Sequence, residues 1–312
     1  MTLLAPGAAS AAGDPLGGPT AVVEERGTSL WRGAFQRLVR DPFAIAGAII
    51  VAVFVLVALF APLLAPYEPA GAQWGNQITP SSVPGPSQDH LLGLDAFGSD
   101  LLTQLIYGAR KSLIIGVVST TLGLSVGALI GLLAGGIGGW VDVVLMRVVD
   151  ILLSIPSLLL AVSVAAVLGR TSLSVMIAIA AAQVPIFARL LRGSLLSQRG
   201  ADYVVAASSL GLRHRTVVLS HMLPNSLGPV IVQATLVLAT ATIEVAALSY
   251  LGLGEPNPTV AEWGRMLVKS QDRLQTSPHL ALLPGMLIAL TALGFTLLGE
   301  ALREALDPKF RR

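Results

Sequence analysis

Hydrophobic positions along this chain fall in long uninterrupted runs separated by shorter polar stretches. The first, FAIAGAIIVAVFVLVALFAPLLA over residues 43–65, carries no charge. As a helix it would reach about 34 Å, enough to cross the hydrocarbon core of a bilayer with some tilt. Five more runs follow near 112–135, 141–168, 173–191, 228–253 and 280–302. The pattern predicts an all-α membrane protein with six transmembrane helices. Pro156 falls in the third run and Pro185 in the fourth, both tolerable in membrane helices where neighbours satisfy the freed carbonyls.

The polar stretches divide the rest of the chain. Residues 1–42 form an N-terminal tail whose first part, 1–27, is rich in Gly, Ala and Pro without periodicity and reads as disordered. Within SLWRGAFQRLVRDP, Trp31, Phe35 and Leu38 share one helical face flanked by arginines, which suits either an interfacial helix on an anionic leaflet or a solvated connector. Residues 66–106 are polar and proline-rich, an extramembrane loop too long for a turn. A five-helix core then occupies 107–306, interrupted by a loop at 200–225, and 307–312 form a C-terminal tail.

Composition agrees with lipid as the main solvent. Of the 312 residues 54% are hydrophobic and 12% charged, against about 25% charged in a soluble domain, and mean hydropathy is +0.75. The first apolar run lies behind four arginines and far from the start, so it is expected to be a retained span, not a cleaved signal. With the N-terminus inside, 14 of the 20 Lys and Arg fall on cytoplasmic segments, which favours both termini in the cytoplasm. The formal net charge of +2 gives no footprint for nucleic acid.

Chemistry-bearing patterns are few. There is no cysteine, no GxxxxGK[ST], no HExxH and no GxSxG, and the histidines at 90, 214, 221 and 279 lack metal-ligand spacing. The chain is therefore expected to hold no metal, to bind no nucleotide by itself and to be no enzyme with a local signature. Gly123, Gly127, Gly131 and Gly135 recur every four residues, which marks a tight helix–helix interface or a coincidence in a glycine-rich chain. Glu244 is the clearest ionisable group inside a span, with Asp150 and Glu300 nearer the expected ends. Its carboxylate is either part of a pathway or a structural hydrogen-bonding group.

One loop has a shape of its own. In DYVVAASSLGLRHRTVVLSHMLPN, residues 202–225, Asp202 sits in the first turn of a short helix, where the dipole favours a carboxylate. Gly211 suits the left-handed residue that ends it. Leu212, Thr216 and Leu219 share the face of a second short helix, and Pro224 is expected to stop it. Helix, glycine elbow, helix and stop make a compact knob suited to a groove in another protein, unless the segment is an ordinary amphipathic loop.

At these residues the chain resembles the inner-membrane permease subunits of binding-protein-dependent ABC importers, whose cytoplasmic signature runs EAA, three residues, G, nine residues, then I-x-L-P. Ala206 and Ala207 match the alanines, Gly211 the glycine, and Leu223 and Pro224 the closing pair, while Val205 stands in place of the glutamate and His221 in place of isoleucine. APLLAPYEP, HLLGLDAFGSDLLTQLIYGARKSL, VDILLSIPSLLLA, LSYLGLGEPNP and LGFTLLGEALREALDP resemble the C-type subunit of dipeptide, oligopeptide and nickel importers. The resemblance implies a type I ABC importer permease fold with an exchanged first helix, in a bacterial inner membrane. It implies a B-type permease partner, two ATP-binding subunits that use ATP and magnesium, and an extracytoplasmic binding protein. Asp202, Tyr203, Arg213, Arg215 and Leu219 join the signature residues as candidate contacts to the ATPase. Trp263 and Arg265, in the 254–279 loop, are candidates to face the binding protein. Peptides are the leading substrate, nickel chelates or another small solute the alternative, and an ion-coupled carrier the competing class.

Overall fold

The computed structural model describes residues 35–69, 72–79, 82–257 and 260–306. The expected tail at 1–27, Trp31, and the tail at 307–312 lie outside them. The described chain is helical, with one isolated antiparallel pairing, Leu94 with Asp100. Helix α1 (Pro42–Leu59) starts because Asp41 accepts the amides of Phe43 and Ala44 at 2.7 and 3.1 Å and Pro42 follows at the first helical position. A single turn, α2 (Ala61–Leu64), leads into the outer loop, and α3 runs from Leu101 to Ile137. The loop was expected to reach 106, but Asp100 caps α3 earlier by accepting the Thr103 amide at 2.8 Å. Its first turns mix Thr103 and Gln104 with Leu101, Leu105 and Ile106 and are largely buried, so α3 extends to about 55 Å, well beyond a bilayer core.

The third expected span is not one helix. It is α4 (Gly139–Leu153) and α5 (Ser157–Leu168), bent by 93° at the break. Pro156 sits there with φ −54° and ψ 135°, outside the helical region. It supplies no amide and restricts the residue before it, and among the described residues no side chain caps the new helix start. Pro185, by contrast, lies inside the continuous α6 (Ser172–Gln198). Then come α7 (Asp202–Ser209), α8 (His214–Tyr250), α9 (Trp263–Ser270) and α10 (His279–Leu306).

The closest helix pair is α3 with α6, and α8 lies across both and against α10. In this single chain α1 packs on α10. A Cβ on Gly47 would come within 2.8 Å of the Leu298 amide, and one on Gly294 within 2.7 Å of the Ile50 side chain, so the two helices meet through glycine. Phe43, Leu129, Val143 and Leu290 stand exposed on the outside of the bundle, as expected where lipid or another apolar surface replaces water.

Candidate functional site

The 202–225 segment forms the knob at one end of the bundle. Helix α7 ends in a Schellman motif: the Gly211 amide donates to Ser208 O at 3.0 Å and the Leu212 amide to Ala207 O at 3.3 Å. Gly211 has φ +78°, a conformation in which an L side chain is strained by about 1–2 kcal/mol. Val204 and Ala207 turn inward onto Leu195, Val217, Val218 and Met222. Tyr203, Val205, Leu210 and Leu212 turn outward, with Leu210 83% exposed. Val205 therefore presents an apolar side chain where the signature has glutamate. Asp202, Ala206, Arg213 and Arg215 are also exposed, and the Tyr203 hydroxyl donates to Gln198 at 2.6 Å.

The expected proline stop is absent. Helix α8 runs without interruption from His214 through Pro224 to Tyr250, with a π-helical turn over Val217–Met222 just before the proline. That turn shifts the hydrogen-bond register where Pro224 has no amide to give, and the Asn225 side-chain amide donates to His221 O at 2.9 Å. Leu219 is half-exposed in the π turn, and Leu223 packs toward the knob's base. The knob is thus the short helix α7 joined through Gly211 to the first turns of a membrane-crossing helix, not an independent pair of short ones.

Behind the knob, the four glycines of α3 meet α6 of the same chain. A Cβ on Gly123 would lie 2.9 Å from Gln183 Cβ, on Gly127 2.5 Å from Val184 O, on Gly131 2.6 Å from Ala188 O, and on Gly135 3.1 Å from Leu195 Cβ. Ion pairs tie α6 to α4 as well. Arg192 donates to both oxygens of Asp142 at 2.8 and 2.7 Å, and Arg189 donates to Asp150. Glu300 pairs locally with Arg303 at 3.8 Å. Glu244 is half-buried in α8, beside Ser157, the first residue of α5. Its Oε2 is buried without a hydrogen-bond partner among the described residues. Among these residues no group of three or more His, Asp or Glu is placed to hold a metal.

At the opposite end, Trp263 is not the surface residue its loop position predicted. It is fully buried, donates from Nε1 to Leu105 O at 3.0 Å, and meets Phe54 edge-on at 5.7 Å. A large aromatic finds more apolar area under the loop than on it, and Gly108 leaves it room, since a Cβ there would come within 2.6 Å of the indole. Arg265 is half-buried and donates to Asn257 O. Two groups that carry no sequence motif complete this end. Glu262 is buried and accepts from the Ser249 hydroxyl. Burial pushes its carboxyl above the usual carboxylate range, against the opposing pull of that hydrogen bond and of Arg265 and Lys111. Lys269 lies 3.5 Å from Asp95 and 5.0 Å over the Phe97 ring, and burial lowers its pKa. Only long-range folding brings these residues together, so no local spacing announces them.

The described residues form a bundle of membrane-length helices that ends in a knob with exposed apolar side chains. Residues 127–312 match the family described as the inner membrane component of binding-protein-dependent transport systems. Residues 29–83 match the N-terminal transmembrane domain of oligopeptide transport permease C. The chain is 44% identical over 283 residues to a dipeptide transport system permease protein of Alkalihalophilus pseudofirmus, covering 91% of each. It is 40% identical over 278 residues to a di/tripeptide transport system permease protein of Pseudomonas aeruginosa, covering 89% of this chain and 91% of the relative. It is 36% identical over 281 residues to a glutathione transport system permease protein of Pectobacterium atrosepticum, covering 90% and 92%. The chain belongs to the binding-protein-dependent permease family. It is a multi-pass inner-membrane permease subunit of the ABC importer type, and the ion-coupled carrier is set aside.

Proposed function

We propose that this chain is one membrane half of an ATP-driven importer of short peptides. A second, B-type permease completes the translocation path, and two cytoplasmic ATPases, which bind the ATP and magnesium, engage the knob. The observation that carries the reading is the knob itself: Tyr203, Val205, Leu210 and Leu212 stand out from a locked Schellman turn at the start of a helix that crosses the bundle. Exposed apolar side chains on a rigid helical end fit a groove in a protein partner. The lysine and arginine distribution favours a cytoplasmic place for this end and for both termini. The other end, with the 66–100 segment and α9, then faces the extracytoplasmic binding protein, with Arg265 and not Trp263 within its reach. Closure of the ATPases moves the knobs of the two permeases together and biases the bundle between two arrangements. The peptide assignment rests on the relatives, named for dipeptide, di/tripeptide and glutathione transport.

Affinity purification of the tagged chain tests the reading. The complex should contain ATPase subunits, and its ATP hydrolysis should rise when peptide-loaded binding protein is added. Gly211→Pro, which cannot adopt the +78° φ of the elbow, should abolish uptake. Wild-type uptake by that variant, or a complex without ATPases, would rule the assignment out.

A further inference from the structure

We infer that Arg199 and His214 clamp both feet of the knob to the C-terminus of α3, so that knob and α3 move as one body. The inference rests on the coupling function proposed above and assigns it two residues outside the docking surface. The last carbonyls of a helix have no partner within it. In α3, Ala134 O accepts the Gly138 amide at 3.1 Å, and the next two carbonyls are taken from outside. Arg199 donates from Nη2 to Gly135 O at 2.9 Å, and His214 Nε2 lies 2.7 Å from Gly136 O. A carbonyl only accepts, so Nε2 carries the hydrogen. Basic side chains are favoured at this negative end of the helix dipole.

Position gives the contacts their consequence. Arg199 immediately follows α6 and precedes α7, while His214 is the first residue of α8. The two therefore bracket α7 and its Gly211 elbow, and both reach the same helix end. The local sequence leaves space for them: α3 stops at Gly138, φ +75°, where a Cβ would come within 3.2 Å of Arg199 Nη2. On Gly136 a Cβ would come within 3.2 Å of Val218, so the α3 end also rests on the first turns of α8. An apolar pad joins the knob to the bundle as well, through Val204 and Ala207. Apolar contact is non-directional; it resists pressing but lets surfaces slide. The two hydrogen bonds, one at each foot, fix direction and resist pulling. The glycine contacts then pass the displacement of α3 to α6. Arg199 and His214 are thus positioning residues, distinct from the outward side chains that would touch an ATPase.

The natural absence of cysteine allows a direct test in the complete importer. Spin labels at Ile137→Cys, the last residue of α3, and Ser209→Cys, the last of α7, report the distance between helix end and knob. With Arg199 and His214 present, one narrow distance distribution should persist in the nucleotide-free and vanadate-trapped states. In the Arg199→Ala/His214→Ala double variant it should broaden and differ between the states. Uptake of labelled dialanine per ATP hydrolysed should fall about tenfold, the scale of a lost hydrogen bond to a charged group. His214→Gln, which retains a side-chain N–H donor, should restore much of the coupling that His214→Ala loses. A distribution unchanged by the double variant, a knob already mobile in the wild type, or a Gln variant no better than Ala would each overturn the clamp. So would loss of the ATPases from the purified double variant, which would mean that the two residues hold the partner. The nucleotide-free distance measurement depends only on this chain's geometry, so the clamp can fail while the coupling reading stands, and the reverse.

Discussion

Adding one methyl group to the glycine face of α3 gives a sharp test of the packing, because two effects of opposite sign compete. Alanine in place of glycine within a helix is worth about 1 kcal/mol in backbone propensity. At Gly127, however, the new Cβ would lie 2.5 Å from Val184 O, 0.9 Å short of the 3.4 Å at which ordinary contact begins. The obstacle is backbone, so no rotamer change relieves it, and α3 must move away from α6. That shift also loosens the contacts at Gly123, Gly131 and Gly135 on the same face. Overpacking of this kind costs about 1–3 kcal/mol, so after the propensity gain of about 1 kcal/mol Gly127→Ala should come out net destabilising, by up to about 2 kcal/mol. Gly193 in α6 is the internal control, since its Cβ meets nothing within 4 Å, and Gly193→Ala should stabilise by about 0.5–1 kcal/mol. Gly127→Ala/Gly131→Ala should destabilise by less than the sum of the singles, because one displacement of α3 relieves both clashes. Unfolding of the purified chain in mixed detergent micelles, followed by circular dichroism, measures all four. If Gly127→Ala matches or exceeds wild-type stability while Gly193→Ala behaves as the control, the close approach of α3 and α6 is refuted.

Two further predictions concern the opposite end. Glu262 has its carboxyl raised above its ordinary value near 4.5, chiefly by burial, so the folded chain holds that proton more tightly than the unfolded chain. The stability it contributes is complete below the ordinary value and is lost as pH rises through the folded value. Glu262→Gln keeps an oxygen for Ser249 but cannot ionise, so its advantage over wild type in thermal unfolding should grow with pH and then level off. A difference that is flat, or that shrinks as pH rises, removes the argument. Asp95 accepts the amides of Phe97 and Ser99 at 2.9 and 2.8 Å in addition to facing Lys269 at 3.5 Å. Asp95→Ala should therefore cost about 3–5 kcal/mol, the scale of breaking a buried pair. Lys269→Met should cost distinctly less, since the carboxylate keeps both amides. Equal melting temperatures for the two variants would show that the backbone hydrogen bonds contribute little.

Sequence made the long apolar helices legible because lipid imposes a simple rule of length and hydropathy that needs no knowledge of neighbours. The same rule did not show the break in the third span, since apolar composition over 141–168 says nothing of direction. Only Pro156 did, and its weight depended on whether neighbours would stabilise a continuous helix there. The Gly211 elbow was legible for the opposite reason: a Schellman turn is decided within a few residues. Pro224 looked equally decisive but lost to a π turn that no local spacing revealed. Trp263 was misplaced because position in a polar loop was allowed to outweigh the apolar area of an indole, which Gly108 and Phe54 accommodate from distant helices.

The residues that sequence did not single out share a cause. Arg199, His214 and Lys269 each act on a group far away in the chain, two of them on backbone carbonyls that carry no side-chain signal at all, and Glu262 meets Ser249 across a turn of the chain that no motif marks. On the coupling proposed above, that follows from what such a subunit has to do. A surface that docks can be local, because it has only to present side chains. A surface that transmits must join elements that are separate in sequence, and it does so most economically where helices end with unpartnered carbonyls. In this chain α3 ends beside the knob in a run of glycines whose carbonyls stay open to basic side chains. The glycines that bring α3 against α6 and the glycines that expose its last carbonyls thus serve one purpose, making the helix both a tight partner and an open handle.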